Sequence, residues 1–283
     1  MEYDKEILRK LQLTQVEILK DIDAFCKAND IEYFIVYGTA IGAVRHGGFI
    51  PWDDDIDIAM RREEYERFMS IAKEGMADKY DILNIEETLG YISCFAKVSK
   101  KGTRFWEATN TNEEYEQGIF VDIFPFDKAA AEKDVRSKDF RKAWVLARIC
   151  MLCEIPDPII PPNLPSVAKA IAKFGCRMVH YILRVIGLDK KRIYKMYLKE
   201  VTKYNEVEEL TFRTDYSALE PEPILISEEK LLPLSMIKFE GVEFPCPRDI
   251  DAHLRGVYGD YMEIPPVEKR HNHMAKLLDF GEE

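Results

Sequence analysis

The sequence predicts an α+β protein. Short apolar and β-branched runs cluster in the first 128 residues and return after residue 226, while the stretch between them carries helical periodicity. Among the early strands lie a Gly38-Thr39 pair and an acidic run, Asp53-Asp54-Asp55-Ile56-Asp57. The expected division is residues 1–128 as the core, 129–225 as a helical appendage, and 226–283 as a C-terminal β-hairpin and loop region that completes the site.

In order along the chain, Leu8, Leu11, Ile18, Ile22 and Phe25 predict a helix over 5–28, stopped at Asn29-Asp30. Ile31 to Tyr37 predicts a strand, and Ala40 to Val44 a short helix. A strand that runs through a glycine turn into a helix N-terminus offers backbone N–H groups to phosphate, although glycine in a turn is often only a turn. Arg45 to Gly48 predicts a loop, Pro51-Trp52 its closure, and Asp55 to Met60 a second strand. Tyr65, Phe68, Met69, Ala72 and Met76 share a helical face, with no visible N-cap side chain. Residues 80–86 and 91–106 predict strands punctuated by Gly90 and Gly102. Lys97, a cation in an apolar strand, either reaches a phosphate or snorkels at a sheet edge.

The acidic run carries the chemistry. On a strand, Asp55 and Asp57 project to one face while Ile56 and Ile58 point to the core. Two carboxylates about 5 Å apart repel by roughly 3 kcal/mol at an effective dielectric of about 20. A divalent cation relieves this, and oxygen-only ligands suit Mg²⁺ or Mn²⁺. The competing readings are a calcium loop and a solvated acidic turn. Ile58 stands where the calcium loop needs glycine. A single Asp122 among apolar strand residues, Gly118 to Pro125, wants a metal or a cation, and beside Asp55 and Asp57 it would complete three carboxylates. Asp127 reads as a turn or helix cap.

The middle of the chain is helical. Phe140, Trp144, Ala147 and Met151 form one stripe, and the proline-rich run 156–165 interrupts it. Residues 166–186 form a two-faced helix, with Val167, Ile171, Phe174, Met178, Ile182 and Val185 opposite Lys169, Lys173, Arg177, His180 and Arg184. The basic face is either solvated or a peripheral contact to anionic lipid near 169–184. Residues 190–208 predict another helix. Near the C-terminus, 236–239 and 242–244 predict strands around Glu240-Gly241, and 250–258 a helix. His271 and His273, beside Lys269 and Arg270, are either solvent-exposed or contacts to an anionic substrate.

Composition sets bounds. A net charge of −11 argues against a nucleic-acid partner. Six cysteines without framework spacing predict reduced, buried thiols and a cytoplasmic location; Cys150-x-x-Cys153 lacks a second ligand pair for zinc. No signal peptide or membrane-spanning run is expected.

Four stretches, GTAIGAVRHGGFIPWDDDIDIAM, VDIFPFD, LPLSMIKFEGVEFPCP and YGDYMEIPPVEKRHNH, closely resemble the LicD family of phosphocholine and polyol-phosphate transferases, which includes the fukutin-type enzymes. The resemblance implies a polymerase-β-like nucleotidyltransferase fold, with a small mixed sheet flanked by helices. It implies transfer of a phospho-alcohol from a CDP-activated donor to a sugar hydroxyl of a surface or lipid-linked glycan, with release of CMP. The superfamily motif maps onto Gly38-Thr39, Asp55-Ile56-Asp57 and Asp122, with Mg²⁺ held by the three aspartates and Asp122 as third ligand or base. Arg45, Lys97 and Arg270 would add positive charge around the donor, with His46, His271 and His273 as further substrate contacts. Trp52 would stack on a base or choline methyl group, or else anchor its loop. The alternatives are a nucleotidyltransferase that attaches NMP and a non-catalytic nucleotide- or glycan-binding member.

Overall fold

The computed structural model describes residues 3–107, 116–158, 160, 164–217, 225–270 and 272–281. It opens with α1 (Lys5–Ala28), capped by the Asp4 carboxylate, which accepts from the N–H groups of Glu6 and Ile7. There follow β1 (Phe34–Ile35), α2 (Tyr37–His46), β2 (Asp57–Arg61), α3 (Arg62–Gly75), β3 (Tyr80–Leu83), β4 (Ala96–Lys100), β5 (Arg104–Trp106) and β6 (Phe120–Ala129). Helices α4 (Lys133–Glu154), α5 (Ser166–Val185) and α6 (Lys190–Val201) come next, then β7 (Phe212–Asp215), β8 (Leu225–Ser227) and α7 (Glu228–Leu231). The chain closes with β9 (Ser235–Phe239), β10 (Val242–Cys246), α8 (Ile250–Tyr258) and β11 (Leu277–Asp279).

The α+β reading holds as a mixed sheet with helices packed around it. Its main path runs β1-β2-β6-β4-β3, with β7 on β6 and β8 on β7. Among the described strands, only β2 and β6 run parallel. Strand β6 is the trunk: residues 120–123 pair with β4 and residues 126–129 with β7. Pro125, which has no N–H to donate, falls in the gap between those two ladders. Strands β9 and β10 form a separate hairpin whose turn, Glu240-Gly241, has positive φ at both residues. The Glu240 carboxylate accepts from the Phe49 N–H and from Arg9, so the hairpin is tied to the loop after α2 and to α1.

Several boundaries differ from expectation. The first strand shrinks to two residues because Tyr37, at φ 51°, already begins α2, which runs to the left-handed Gly47. Gly38 and Thr39 therefore lie in the first turn of that helix rather than in a turn before it. Strand 80–86 ends at Leu83 because the Asn84 side chain accepts from the N–H groups of Glu86 and Glu87 and folds the backbone into a turn. The expected turn at Gly102, with φ 76°, divides 91–106 into β4 and β5, and β4 starts only at Ala96. The 190–208 helix stops at Val201. Strands β7 and β8, which extend the main sheet from the stretch expected to be helical, and β11, paired with β5, were not foreseen.

Asp127 is no cap. It is buried on β6 and receives two hydrogen bonds from Arg62, 2.8 and 2.7 Å, and one of 2.8 Å from Asn205. On α4 the buried set is Phe140, Ala143, Leu146 and Cys150, so the predicted stripe is off by about one position; Trp144 and Met151 are half-buried. That rotation also buries Asp139, which binds Lys203 and Tyr204. The six cysteines are free thiols.

Helix α2 lies so close to the following loop that a Cβ on Gly42 would sit 2.4 Å from the Gly48 carbonyl oxygen and 3.0 Å from the Ile50 nitrogen. Both are backbone atoms and cannot swing aside. Gly42→Ala is therefore expected to destabilise the protein by about 1–3 kcal/mol, read as a lower denaturation midpoint, despite alanine's better helix propensity.

Candidate active site

The acidic run is held from three sides. On α1, the buried Gln12 and Gln15 donate to the carbonyl oxygens of Asp53 and Asp54, at 2.9 and 2.8 Å. On α2, the buried Thr39 hydroxyl accepts from the Asp57 N–H at 2.8 Å. From β6, the Asp122 N–H donates to the Ile56 carbonyl at 2.9 Å. Ile56 and Ile58 are fully buried, as the alternation requires, which turns Asp55 and Asp57 the other way.

The parallel ladder sets Asp57 directly opposite Asp122. On the other side of β6, Lys97 is in register with Asp122, and its ammonium donates to the Asp122 carboxylate at 2.8 Å. Lys97 also lies 3.6 Å from Glu107 and 3.4 Å above the Phe120 ring. Lys97 does not snorkel at a sheet edge: β4 lies between β6 and β3, and the ammonium is buried and bound to a carboxylate. Unscreened there, the ammonium offsets part of the charge that the aspartates concentrate.

His273 supplies a second cation. Its backbone N–H donates to Asp54 at 2.8 Å, and its ring Nδ1 lies 3.1 Å from Asp55 and 3.5 Å from Asp54. Its side chain is 58% exposed, as one of the two sequence readings expects, while it pairs with the carboxylates at the rim of the site. Asp54, Asp55 and His273 form the one group of ligand-type atoms close enough to hold a metal among the described residues. One Asp54 oxygen is buried with no hydrogen-bond partner.

These contacts drive the carboxyl groups apart. Burial pushes Asp57 well above the usual carboxylate range, and the charges of Asp55, Asp122 and Asp53 add to it. Asp122 rises to about 7, because burial outweighs Lys97. Burial also raises Asp53, with Asp55 and Asp54 contributing. Asp55 goes the other way: burial is overcome by the hydrogen bond and charge of His273, helped by Lys97. In return, Asp54 and Asp55 raise His273. One carboxylate that favours ionisation beside three that resist it is a site short of positive charge.

The remaining predicted contacts spread around this centre. Gly38 backs directly onto Asp53, whose carboxylate lies 2.7 Å from where a Cβ would stand. Arg45 is engaged elsewhere, donating to the Tyr261 carbonyl at 2.9 Å and to the exposed His46 ring at 2.9 Å. Trp52 packs partly against the core, and its ring carries the Arg270 guanidinium at 4.2 Å. Arg270 also donates to the Pro265 carbonyl. His271 lies outside the described residues.

Sequence reasoning missed Asp53 and Asp54 as members of the site. It also missed the support behind α2, where the Tyr37 hydroxyl donates to the buried Asp215 at 3.0 Å. The only available signal was the pair Gln12 and Gln15 on the apolar face of α1, polar groups that burial obliges to find partners.

Residues 30–148 match the family model described as LicD/FKTN/FKRP, nucleotidyltransferase domain. The span contains the Gly-Thr helix start, the acidic run and Asp122 together. The chain carries a domain that matches the LicD family. It is 28% identical to the lipopolysaccharide cholinephosphotransferase LicD of Haemophilus influenzae over 95% of this chain and 96% of that protein. Two uncharacterised Rickettsia proteins, from R. typhi and R. prowazekii, are 42% and 44% identical over short stretches, 23% and 19% of this chain and 21% of each relative. The likeness to the Haemophilus LicD protein extends through α4, α5 and α6 and into the C-terminal hairpin, beyond the LicD domain itself.

Proposed function

We propose that this protein is a transferase that moves a phospho-alcohol, phosphocholine in the first instance, from a CDP-activated donor to a sugar hydroxyl of a cell-surface or lipid-linked glycan. The observation that carries the reading is the placement of Asp57 against Asp122 on parallel strands, with Asp55 two residues away. It is joined by alignment along almost the whole chain with a lipopolysaccharide cholinephosphotransferase. In the reaction, the sugar oxygen bonds to the phosphorus of the phospho-alcohol, the bond from that phosphorus to the CMP oxygen breaks, and the hydroxyl proton passes to a carboxylate. Asp122, raised to about 7 and held by Lys97, suits that proton.

Asp55, Asp57 and Asp122 offer only oxygen, the donor chemistry that Mg²⁺ or Mn²⁺ takes, and their mutual repulsion calls for a cation; among the described residues the ligand atoms already close enough to share one are those of Asp54, Asp55 and His273, so Asp57 and Asp122 would have to draw in to join them. Bound there, the ion would neutralise the diphosphate and the charge that builds on the leaving oxygen. The chain's own groups position the rest: Thr39 holds the backbone of Asp57, Lys97 orients Asp122, and His273 keeps Asp55 ionised. Trp52 already accepts a cation on its face, which supports a place there for the quaternary ammonium of choline if Arg270 swings away. We assign the polymerase-β-like fold on the same grounds, with the helical stretch after β6 as an insertion that returns to the main sheet at β7 rather than a unit running to residue 225. The free thiols support a reducing compartment.

The test incubates the purified chain with Mg²⁺ and each of CDP-choline, CDP-ribitol and CDP-glycerol. One donor is expected to raise the melting temperature, by the equivalent of about 2.7 kcal/mol at 100 times its Kd. With a glycan acceptor, that donor should release CMP and add the phospho-alcohol mass to the glycan. A product that retains the nucleoside would make the protein a nucleotidyltransferase instead.

A further inference from the structure

Helix α5 presents an apolar face to solvent. Val167, Ile171, Phe174 and Val185 are 72, 67, 65 and 86% exposed, and Met178 and Ile182 continue the stripe at about half. Positions 167, 171, 174, 178, 182 and 185 lie along one side of a 3.6-residue helix. The buried residues of α5 are Leu183 and His180, on a different side; the His180 Nδ1 lies 2.7 Å from the Leu152 carbonyl of α4. The apolar stripe thus faces away from the fold, which reverses the usual placement of an amphipathic helix.

The charge on this helix is equally one-sided. Between Ser166 and Val185 there are four basic residues, Lys169, Lys173, Arg177 and Arg184, and no acidic one, in a chain of net charge −11. The basic row runs beside the apolar stripe, between it and the buried side. Arg177 is held by Asp157, at 2.7 and 2.9 Å. No described helix is long and apolar enough to cross a membrane.

We infer that α5 is a membrane-surface helix, which lies in the plane of an anionic lipid bilayer with Ile171, Phe174 and their neighbours among the acyl chains and Lys173 and Arg184 at the headgroups. An apolar stripe flanked by cations, with the remaining side fixed to the protein, is the arrangement such a surface takes up. Lipid, rather than a second copy of the chain, is the occupant the charge favours, since two copies would bring like-charged rows together. The inference does not rest on the donor chemistry above, and its test reads no activity.

Full-length protein is sedimented with phosphatidylcholine vesicles, with and without about 30 mol% phosphatidylglycerol. The wild type is expected to partition to the anionic vesicles at least ~10-fold more strongly than to neutral ones, and to release as salt rises. The double variant Ile171→Asp, Phe174→Asp and, separately, Lys173→Glu, Arg184→Glu should each lose about tenfold in partitioning. These side chains are exposed, and circular dichroism with thermal melting checks that both variants keep the fold. Wild-type protein that stays in the supernatant with anionic vesicles, or an aspartate variant that binds as well as wild type, overturns the inference. So does a dimer in sedimentation velocity that the aspartate variant splits, which would assign the face to a second copy.

Discussion

Replacing Asp57 by asparagine is expected to abolish CMP release while leaving the metal-free protein at least as stable as the wild type. The two effects have one cause. Asp57 is buried opposite Asp122 and within reach of Asp55 and Asp53, which together raise its pKa far above the ordinary value. A carboxyl group raised in this way binds more protons in the folded than in the unfolded chain. Folding stability therefore falls as pH rises through its unfolded pKa, and keeps falling until the folded group ionises. Asparagine is nearly the same shape and carries no charge, so that loss disappears. The transferase reading, by contrast, needs the charge, and removing one group that stabilises a charged transition state costs on the order of 10²–10³ in rate. The checks are a CMP-release assay, and thermal melting across pH with and without Mg²⁺. The wild type should gain stability on addition of Mg²⁺, most of all at high pH, and Asp57→Asn should gain much less. An Asp57→Asn protein that melts earlier than the wild type in the absence of metal would mean that the carboxylate is structural.

Arg62→Ala is expected to cost about 3–5 kcal/mol of folding stability, the largest effect of a single side chain away from the site. Arg62 opens α3, and its guanidinium is buried against Asp127 in the middle of β6 with two hydrogen bonds. Asn205, in the turns after α6, donates a third bond to the same carboxylate, and its own amide oxygen accepts from the Lys128 N–H. Removing the arginine strands a fully buried carboxylate with one neutral donor. Losing both charges together leaves no such orphan, so Arg62→Ala with Asp127→Ala should be less damaging than the two single costs added. For a chain of this size, the single variant should melt roughly 10 °C below wild type. Additive losses in the double-mutant cycle would show that the pair is not coupled.

The two carboxylate pairs differ in how legible they are in the sequence. Asp55 and Asp57 can be read because alternation with Ile56 and Ile58 is a local rule, obeyed within a few residues. Asp122 can be read as costly, because an aspartate inside an apolar strand must find a cation. Which cation it finds is a question of register: Lys97 reaches it because β4 pairs with β6 at that residue, and a shift of one position would have turned Lys97 to the other face. Asp127 was misread for the same reason. It follows Pro125, a local turn signal, and its true partner is sixty-five positions away.

The helices divide in a similar way. Amphipathicity shows that α5 has an apolar side, but which side a helix buries depends on what the fold places next to it. In α5 the contact with α4 uses His180 and Leu183 and leaves the apolar stripe in solvent. His273 is the extreme case. Its pairing with Asp54 and Asp55 spans more than two hundred residues, and nothing in the run Lys269 to His273 hints that the histidine meets acid rather than anion.

By itself, then, the sequence determined the helices and most of the strands of an α+β chain, and a concentration of carboxylates that demands a cation, together with the family those motifs resemble. These follow from side-chain periodicity and from the Coulomb cost of neighbouring charges, both of which act over a few residues. The tertiary structure alone decided which cations answer the carboxylates and which side of α5 meets water, because strand register and helix packing are set by contacts between parts of the chain that are distant in sequence.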